Sequence, residues 1–437
     1  MKVYNTLSNK LEDFKSIIDN EISIYVCGPT VYNYPHIGNM RPVVVFDMVH
    51  RYFKYLGYNV KMVSNFTDVD DKIINEAIKE GVSENVVTNK YIDAYLEEVN
   101  KFNCLSIYER PKVTDYIPKI IKYIEYLISK DFAYKKGNDV YFRVNKIKEY
   151  GILSNQDITS LKDGVRVNIN NNKEESVDFV LWKSTDKGIK WDSSFGEGRP
   201  GWHTECVVMI DNIFNSMIDI HGGGVDLKFP HHDNEIAQAL AVHNHTIANY
   251  WMHNGHINVD GKKMSKSLNN FVLSSELLDK YSANAIRLAM FNTHYRQPFN
   301  LTTNLLEEFK LFDEKVVKLY KQIKLCLKLN GYKDEILDKD EELINIMDND
   351  FNTANVITYF MKLIKQANVY IRSNDSNISN VFSKIKGVCF VLGLVYNETD
   401  INEEDFNMYI QWLKLKENKF YEEADKLYNK LLENNIL

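Results

Sequence analysis

Two buried-strand patterns separated by a helical one constrain this chain more than any other feature. "ISIYVCGP" reads as a buried strand running into a turn, and after "VYNYPHIGN" a helix is expected from about Met40 to Leu56, stopped by Gly57. "NVKMVSNF" then reads as a second strand, and "DVDDKIINEAIKEG" as an acid-started helix ending at Gly81. Strand, helix, strand alternation points to an α/β fold with a doubly wound, Rossmann-like parallel sheet. From about residue 112 to 205 the pattern is mixed, with "DVYFRV" and the loop-rich "WDSSFGEGRPGW", as expected of an insertion. "SMIDIHGGGVDL" restores a buried strand, and "YWMHNGHINVDGKKMSKS" adds a further strand and a lysine-rich loop. After about residue 274 every strong segment is helical, which makes an all-α C-terminal region the expectation.

At 437 residues, two to four domains are expected, and 44% hydrophobic with 12% aromatic residues suffices for packed cores. The longest apolar runs, "VVVF" and "FVLGLV", fall far short of the ~18 residues of a spanning helix, so a soluble protein without membrane contact is expected. Five scattered cysteines (Cys27, Cys104, Cys206, Cys326, Cys389) fit a reducing, cytoplasmic setting and suggest metal or thiol chemistry over a disulfide framework. The net charge of −7 argues mildly against a protein that coats nucleic acid. One basic stripe stands out. Lys315, Lys318, Lys321, Lys324 and Lys328 face away from Val316, Leu319, Tyr320, Ile323 and Leu327, as a solvated helix face or a phosphate-contact surface would.

A parallel sheet takes its ligand at the carboxyl ends of its strands, and the residues suited to chemistry gather there. Cys27 ends the first strand, His36 and Gly38 open a helix, and His221 to Gly224 follow a later strand. The helix start offers unpaired amides and partial positive charge to an anion such as phosphate. Common motifs fail. "GEGRPGWH" has phosphate-loop glycine spacing but places Trp202 and His203 where Lys and Ser or Thr should stand. "HGGG" has no nucleophile elbow to accompany it, and "HHDNE" is not H-E-x-x-H. In "FPHHDNEIAQ", His231 and Glu235 share a helix face four residues apart, which by itself fits a metal site, a catalytic acid or a helix cap.

"PHIGN" and, at 263 to 267, "KMSKS" appear in the order of the two signatures of class I aminoacyl-tRNA synthetases. With "YVCGPTVYNYPHIGN", "NFTDVDDKI", "GRPGWHTEC", "DIHGGGVDLKFPHHDNEIAQ" and "KMSKSLNNF", the chain resembles the cysteinyl-tRNA synthetases from about residue 1 to about 430. "NAIRLAMFNTHYRQP" and "MDNDFNTANVI" extend the likeness into the helical region. The resemblance implies a catalytic domain in two halves, 1–115 and 206–270, around a connective insertion at 116–205. It further implies a stem-contact region at 271–335 and a shortened helical anticodon-binding bundle at 336–437.

It implies one Zn2+ held by Cys27, Cys206, His231 and Glu235, all accepted zinc ligand types. It implies a cysteine pocket of Thr67, Trp202, His221 and Asp226. ATP with Mg2+ would be handled by His36, Gly38, Asn39, Lys263 and Lys266, with His36 and Lys266 catalytic. The implied reaction activates L-cysteine as its adenylate and passes it to the terminal adenosine of tRNA(Cys). Selection of a thiol over a hydroxyl then falls to the metal, because shape alone separates near-isosteres by only about 100-fold. Asn39 departs from the second histidine of H-I-G-H, and the chain stops at "KLLENNIL", sooner than many relatives. A monomer is expected. The competing expectations are a mycothiol-type cysteine ligase with an amino-sugar acceptor, a non-catalytic zinc-bearing RNA-binding paralogue, and a nucleotidyltransferase sharing the sheet.

Overall fold

The computed structural model describes residues 1–156, 173–215, 217–264, 270–334, 339–396, 401–434 and 436–437. The chain divides into two compact units, Met1–Glu276 with Tyr295–Asn300, and Leu277–His294 with Leu301–Leu437. The first unit opens with a hairpin of β1 (Lys2–Asn5) and β2 (Lys10–Asp13). Its centre is a four-stranded parallel sheet of β3 (Glu21–Val26), β4 (Asn59–Ser64), β9 (Ile218–Gly224) and β10 (Ala248–Asn254), in the order β10-β9-β3-β4. This is the doubly wound α/β fold expected from the sequence.

Chain order explains where a ligand can sit. From β3 the chain crosses through helix α1 (Ile37–Tyr55) to β4 on one side, whereas β9 connects to β10 on the other. The winding therefore reverses between β3 and β9, and the crevice at their carboxyl ends is the switch point of such sheets. Val26 pairs with Gly222 at that point. Gly222 is required there, because a Cβ on it would lie 2.2 Å from the Phe46 ring of α1. Met40, Val44, Phe46 and Met48 of α1 are wholly buried, which seats the helix on the sheet.

Helix α1 begins at Ile37, three residues before the expected start, because Asn39 Oδ1 accepts the His36 amide (3.1 Å) while its own amide donates to the His36 carbonyl (2.8 Å). The mixed region between the sheet's halves forms an antiparallel sheet of β5 (Ala133–Lys136), β6 (Asp139–Phe142), β7 (Phe179–Lys183) and β8 (Arg199–Pro200).

The second unit is helical. Its longest helix, Thr303–Asn330, buries Val316, Leu319, Tyr320, Ile323 and Leu327 as the spacing predicted. Of the lysine stripe opposite, Lys324 pairs with Asp334 (3.5 Å) and Lys328 with Glu403 (2.7 Å). Among the described residues no helix is long and apolar enough to cross a membrane.

Candidate active site and metal centre

Cys27 leaves β3 with its amide donating to the Gly222 carbonyl (3.2 Å), so its side chain is aimed from the switch point. The next amide, of Gly28, donates to Asn65 Oδ1 (2.9 Å), and a Cβ on Gly28 would collide with the Asn65 carbonyl. Cys206 lies in the first turn of the helix Glu205–Phe214. His231 ends a tight turn, and Glu235 stands in the first turn of the helix Asp233–His243. The insertion secures that helix. The Asp233 carboxylate accepts the amides of Leu153 (3.0 Å) and Ser154 (3.2 Å), and Asn234 accepts the Tyr150 hydroxyl (2.7 Å).

Side chains far apart in sequence meet here. Cys27 Sγ and Cys206 Sγ are 3.8 Å apart, Cys206 Sγ and His231 Nε2 3.7 Å, Cys27 Sγ and Glu235 Oε1 3.9 Å, and His231 Nε2 and Glu235 Oε1 3.0 Å. Around a tetrahedral zinc, with Zn–S near ~2.3 Å and Zn–N near ~2.0 Å, two sulfurs stand ~3.8 Å apart and a sulfur and a nitrogen ~3.6 Å apart. A second set, Cys27, His221, His232 and Glu235, is equally compact. We favour the first set for a soft divalent ion, because it supplies two thiols where the second supplies one. His232 lies as close to a sulfur, its Nε2 3.3 Å from Cys27 Sγ and its Nδ1 2.8 Å from His253 Nε2, so the number of thiols is what separates the two sets. His231 is held by His203, Nδ1 to Nδ1 at 3.0 Å.

The four groups shift one another's protonation. Cys206 is drawn down to about 7, first by its hydrogen bond with Cys27 and then, against burial, by His231. Burial alone would lower His231, yet the adjacent Glu235 carboxylate and Cys206 sulfur push its imidazole up to about 10. Burial would raise Glu235, but His221 and His231 hold its carboxyl well below the usual range. Cys27 moves the other way, pushed well up by burial and by the neighbouring sulfur. Glu235 Oε2 and His221 Nε2 approach to 2.7 Å, but among the described residues neither makes a hydrogen bond with acceptable geometry.

A cavity of about 420 Å³ opens above this cluster, and its lining includes Cys27, His36, Gly38, Asn39, Trp202 and Asp226, with Lys263 across it. The Trp202 ring stacks on His231 (4.3 Å between centroids, 26°). His36 precedes α1 with its ring against Phe271 (4.2 Å). Thr67 and His221, expected at the cysteine pocket, are buried and do not line the cavity. The Thr67 hydroxyl donates to Glu205 Oε2 (3.1 Å) and accepts from Asn65 Nδ2 (3.3 Å). His221 stacks on Trp251 (4.7 Å, 22°). Lys266, with Ser265 and Ser267, falls outside the described residues. Sequence reasoning did not single out Asn65, Glu205, His203, His232 or His253. The doubled histidine in "FPHHDNE" was the available signal for His232.

The parallel sheet, with a helix start and a lysine-bearing hairpin lining one cleft, is that of a class I aminoacyl-tRNA synthetase, as the family match shows. Residues 13–311 match the family described as tRNA synthetases class I (C) catalytic domain, and residues 342–396 match the DALR domain. The methionyl-tRNA synthetase of Mycobacterium tuberculosis, solved with methionyl-adenylate, shares the fold at TM-score 0.60 and 12% identity, covering 85% of this chain and 89% of that one. The chain is 45% identical to the cysteine–tRNA ligase of Acholeplasma laidlawii, covering 99% of this chain and 98% of that protein. It is 42% identical to the cysteine–tRNA ligase of Anoxybacillus flavithermus, covering 100% and 97%. The chain belongs to the cysteine–tRNA ligase family.

Proposed function

We propose that this enzyme activates L-cysteine with ATP and transfers it to the terminal adenosine of tRNA(Cys), choosing its amino acid through a zinc ion held by Cys27, Cys206, His231 and Glu235. The observation that carries this reading is the convergence of two thiols, an imidazole and a carboxylate, of which Cys27 lines the cavity that reaches the start of α1. When bound, zinc supplies an electrophile that takes a thiolate readily and a hydroxyl poorly.

The remaining chemistry belongs to the chain. Asp226 lines the cavity and suits an α-ammonium group, and Trp202 gives it an apolar wall. The cysteine carboxylate attacks the α-phosphorus of ATP, and pyrophosphate leaves with Mg2+. Little covalent help is needed, so the protein contributes position and compensating charge. His36, the amides at the start of α1 and Lys263 supply these toward the phosphates, with Lys266 as the second catalytic group. Asn39 serves α1 as a helix cap, a structural task that needs no positive charge.

The helical unit after about residue 336 would meet the anticodon arm, and the helices before it the inner side of the tRNA. A cysteine ligase with an amino-sugar acceptor would have no use for that unit. Cysteine-dependent ATP–pyrophosphate exchange followed by cysteinylation of tRNA(Cys) tests the proposal. Exchange without transfer to tRNA would favour the amino-sugar acceptor, and no exchange would favour a non-catalytic paralogue. A Lys266→Ala enzyme forming adenylate at the parental rate would remove that lysine from the mechanism.

A further inference from the structure

Lys263 and Met264 of the second signature lie near the start of α1, and one short strip of backbone sets their spacing from it. That strip is residues 295 to 300, and it lies against the strand and hairpin that lead to Lys263. The Gly255 amide donates to the Tyr295 carbonyl (2.9 Å), the Phe299 amide to the His256 carbonyl (3.0 Å), and the Gly261 amide to Asn300 Oδ1 (2.8 Å). The approach at Gly255 is backbone to backbone, since a Cβ there would lie 2.3 Å from the Gln297 carbonyl oxygen. The hairpin in turn pairs Asn258 with Lys263 and Val259 with Lys262. Strip and hairpin therefore move together.

Arg41 joins the strip to α1. It sits four residues beyond Ile37, where the helix begins, and it is only 2% exposed. Its Nη2 donates to the Gln297 carbonyl (2.6 Å) and reaches the Tyr295 carbonyl (3.4 Å), while the guanidinium lies over the Phe299 ring (5.3 Å). Nε and Nη1 are buried without a hydrogen-bond partner among the described residues. A charged group left half-satisfied in the interior is costly, and an aliphatic side chain of that volume would pack there at less expense. Stability alone gives no reason for an arginine. One nitrogen, Nη2, meets both carbonyls while the guanidinium plane lies on the Phe299 ring, and that pairing fixes distance and angle together, which a point charge does not.

The elements that Arg41 spaces also touch each other. A Cβ on Gly38 would lie 2.7 Å from Met264 Cε, so the "HIGN" glycine packs directly on the methionine that follows Lys263. The Ile37 amide donates to the Val272 carbonyl (3.0 Å), and the Ser274 hydroxyl to the Pro35 carbonyl (2.9 Å). The hairpin is thereby registered on α1 from both sides, directly at Gly38 and through the strip at Arg41.

We propose that Arg41 is a positioning residue for adenylate formation, which through the 295–300 strip holds Lys263 at a fixed distance from His36 and the α1 amides. The inference rests on the function proposed above; Arg41 also lines the cavity, and Gly255→Ala, which leaves its side chain in place, separates action through the strip from a direct contact with substrate. Misplacing a group by about 1 Å can cost about 100-fold in rate. The metal cluster lies beside β3 and β9, away from the strip, so cysteine binding should be spared.

Pyrophosphate exchange by the zinc-loaded full chain tests this in Arg41→Met, Arg41→Lys, Gly255→Ala and the Arg41→Met/Gly255→Ala double variant. Zinc content and Tm are measured on each. The expected result is an Arg41→Met enzyme with parental zinc content, a KM for cysteine within about 2-fold of the parent, and a kcat lowered about 30- to 100-fold or an ATP KM raised comparably. Arg41→Lys, which keeps the charge but loses the plane over Phe299, should be impaired less. Gly255→Ala should reproduce the ATP-side defect, and the double variant should be little worse than the poorer single one, because both act through the same strip.

Parental exchange by Arg41→Met overturns the proposal. So does a rise in both KM values together with loss of zinc, which marks general unfolding, or a double variant in which the two losses multiply. Should Arg41→Met not fold, Arg41→Lys and Gly255→Ala decide by the same criterion. A parental enzyme without cysteine-dependent exchange would instead sink the function itself, and this inference with it.

Discussion

Replacing Thr67 by valine separates two accounts of one hydroxyl. The family resemblance puts Thr67 in contact with cysteine, whereas in the structure its hydroxyl donates to Glu205 and Thr67 is not among the residues lining the cavity. Thr67 is 2% exposed and Glu205 1%, so neither group can turn to water instead. Valine fills nearly the same space and leaves no void. The cost is therefore the lost hydrogen bonds. A buried carboxyl oxygen deprived of its donor costs about 1–3 kcal/mol, and the longer contact from Asn65 adds about 0.5 kcal/mol, which makes roughly 2 kcal/mol in all. Burial already holds the Glu205 carboxyl well above its ordinary range, and Thr67 opposes that, so the variant carboxyl should be still harder to ionise. Four tryptophans (Trp182, Trp191, Trp202, Trp251) lie in the first unit and only Trp412 in the second, so urea unfolding followed by fluorescence reports chiefly on the unit that contains Thr67. Thr67→Val should unfold with about 2 kcal/mol less free energy, yet its KM for cysteine should stay within about 3-fold of the parent. Unchanged stability with a KM for cysteine raised tenfold or more would refute this reasoning and restore the hydroxyl to the substrate.

His50 supplies a pH prediction. Burial, against the neighbouring Asp47 charge, lowers its imidazole from 6.5 to about 4. The unfolded chain therefore binds this proton first as pH falls, and stability is lost between pH 6.5 and about 4. Two and a half units correspond to about 3 kcal/mol in full, so the stability difference between parent and His50→Gln should shrink by about 2 kcal/mol between pH 7 and 4.5 in denaturant titrations. A constant difference would show that His50 takes up its proton at its ordinary value. Lys318 is exposed and Lys321 half-buried on the helix Thr303–Asn330. Reversing both charges should raise the KM for tRNA several-fold at low salt and less at high salt, leaving pyrophosphate exchange intact. An unchanged KM would leave the stripe a solvated helix face.

The sequence was legible where its signals are local. Strand, helix and strand from Glu21 to Ser64 follow from apolar runs and a terminating glycine, and only the helix start moved, because Asn39 works as a cap in a position read for phosphate chemistry. The antiparallel sheet of the insertion was read only as mixed, since it pairs Trp182 with Pro200 across a loop and no periodicity announces such a partner. The same limit governs the site. Helical spacing relates His231 to Glu235, but nothing local relates Cys27 to Cys206, 179 positions later, and resemblance alone joined them in advance. Trp202 and Asp226 line the cavity and Thr67 and His221 are buried outside its lining, and motif blocks mark a neighbourhood without saying which side chains face inward.

Metal content and amino-acid choice, measured on one preparation, bear most directly on the central claim. The purified chain should hold one zinc ion, lost in Cys206→Ala, and its cysteine-dependent pyrophosphate exchange should exceed that with serine by well over about 100-fold, beyond what shape discrimination allows. Removing zinc with a chelator should abolish that exchange, and restoring it should bring back rate and selectivity together. A metal-free enzyme that still turned over cysteine at the parental rate and rejected serine as well as before would contradict the account.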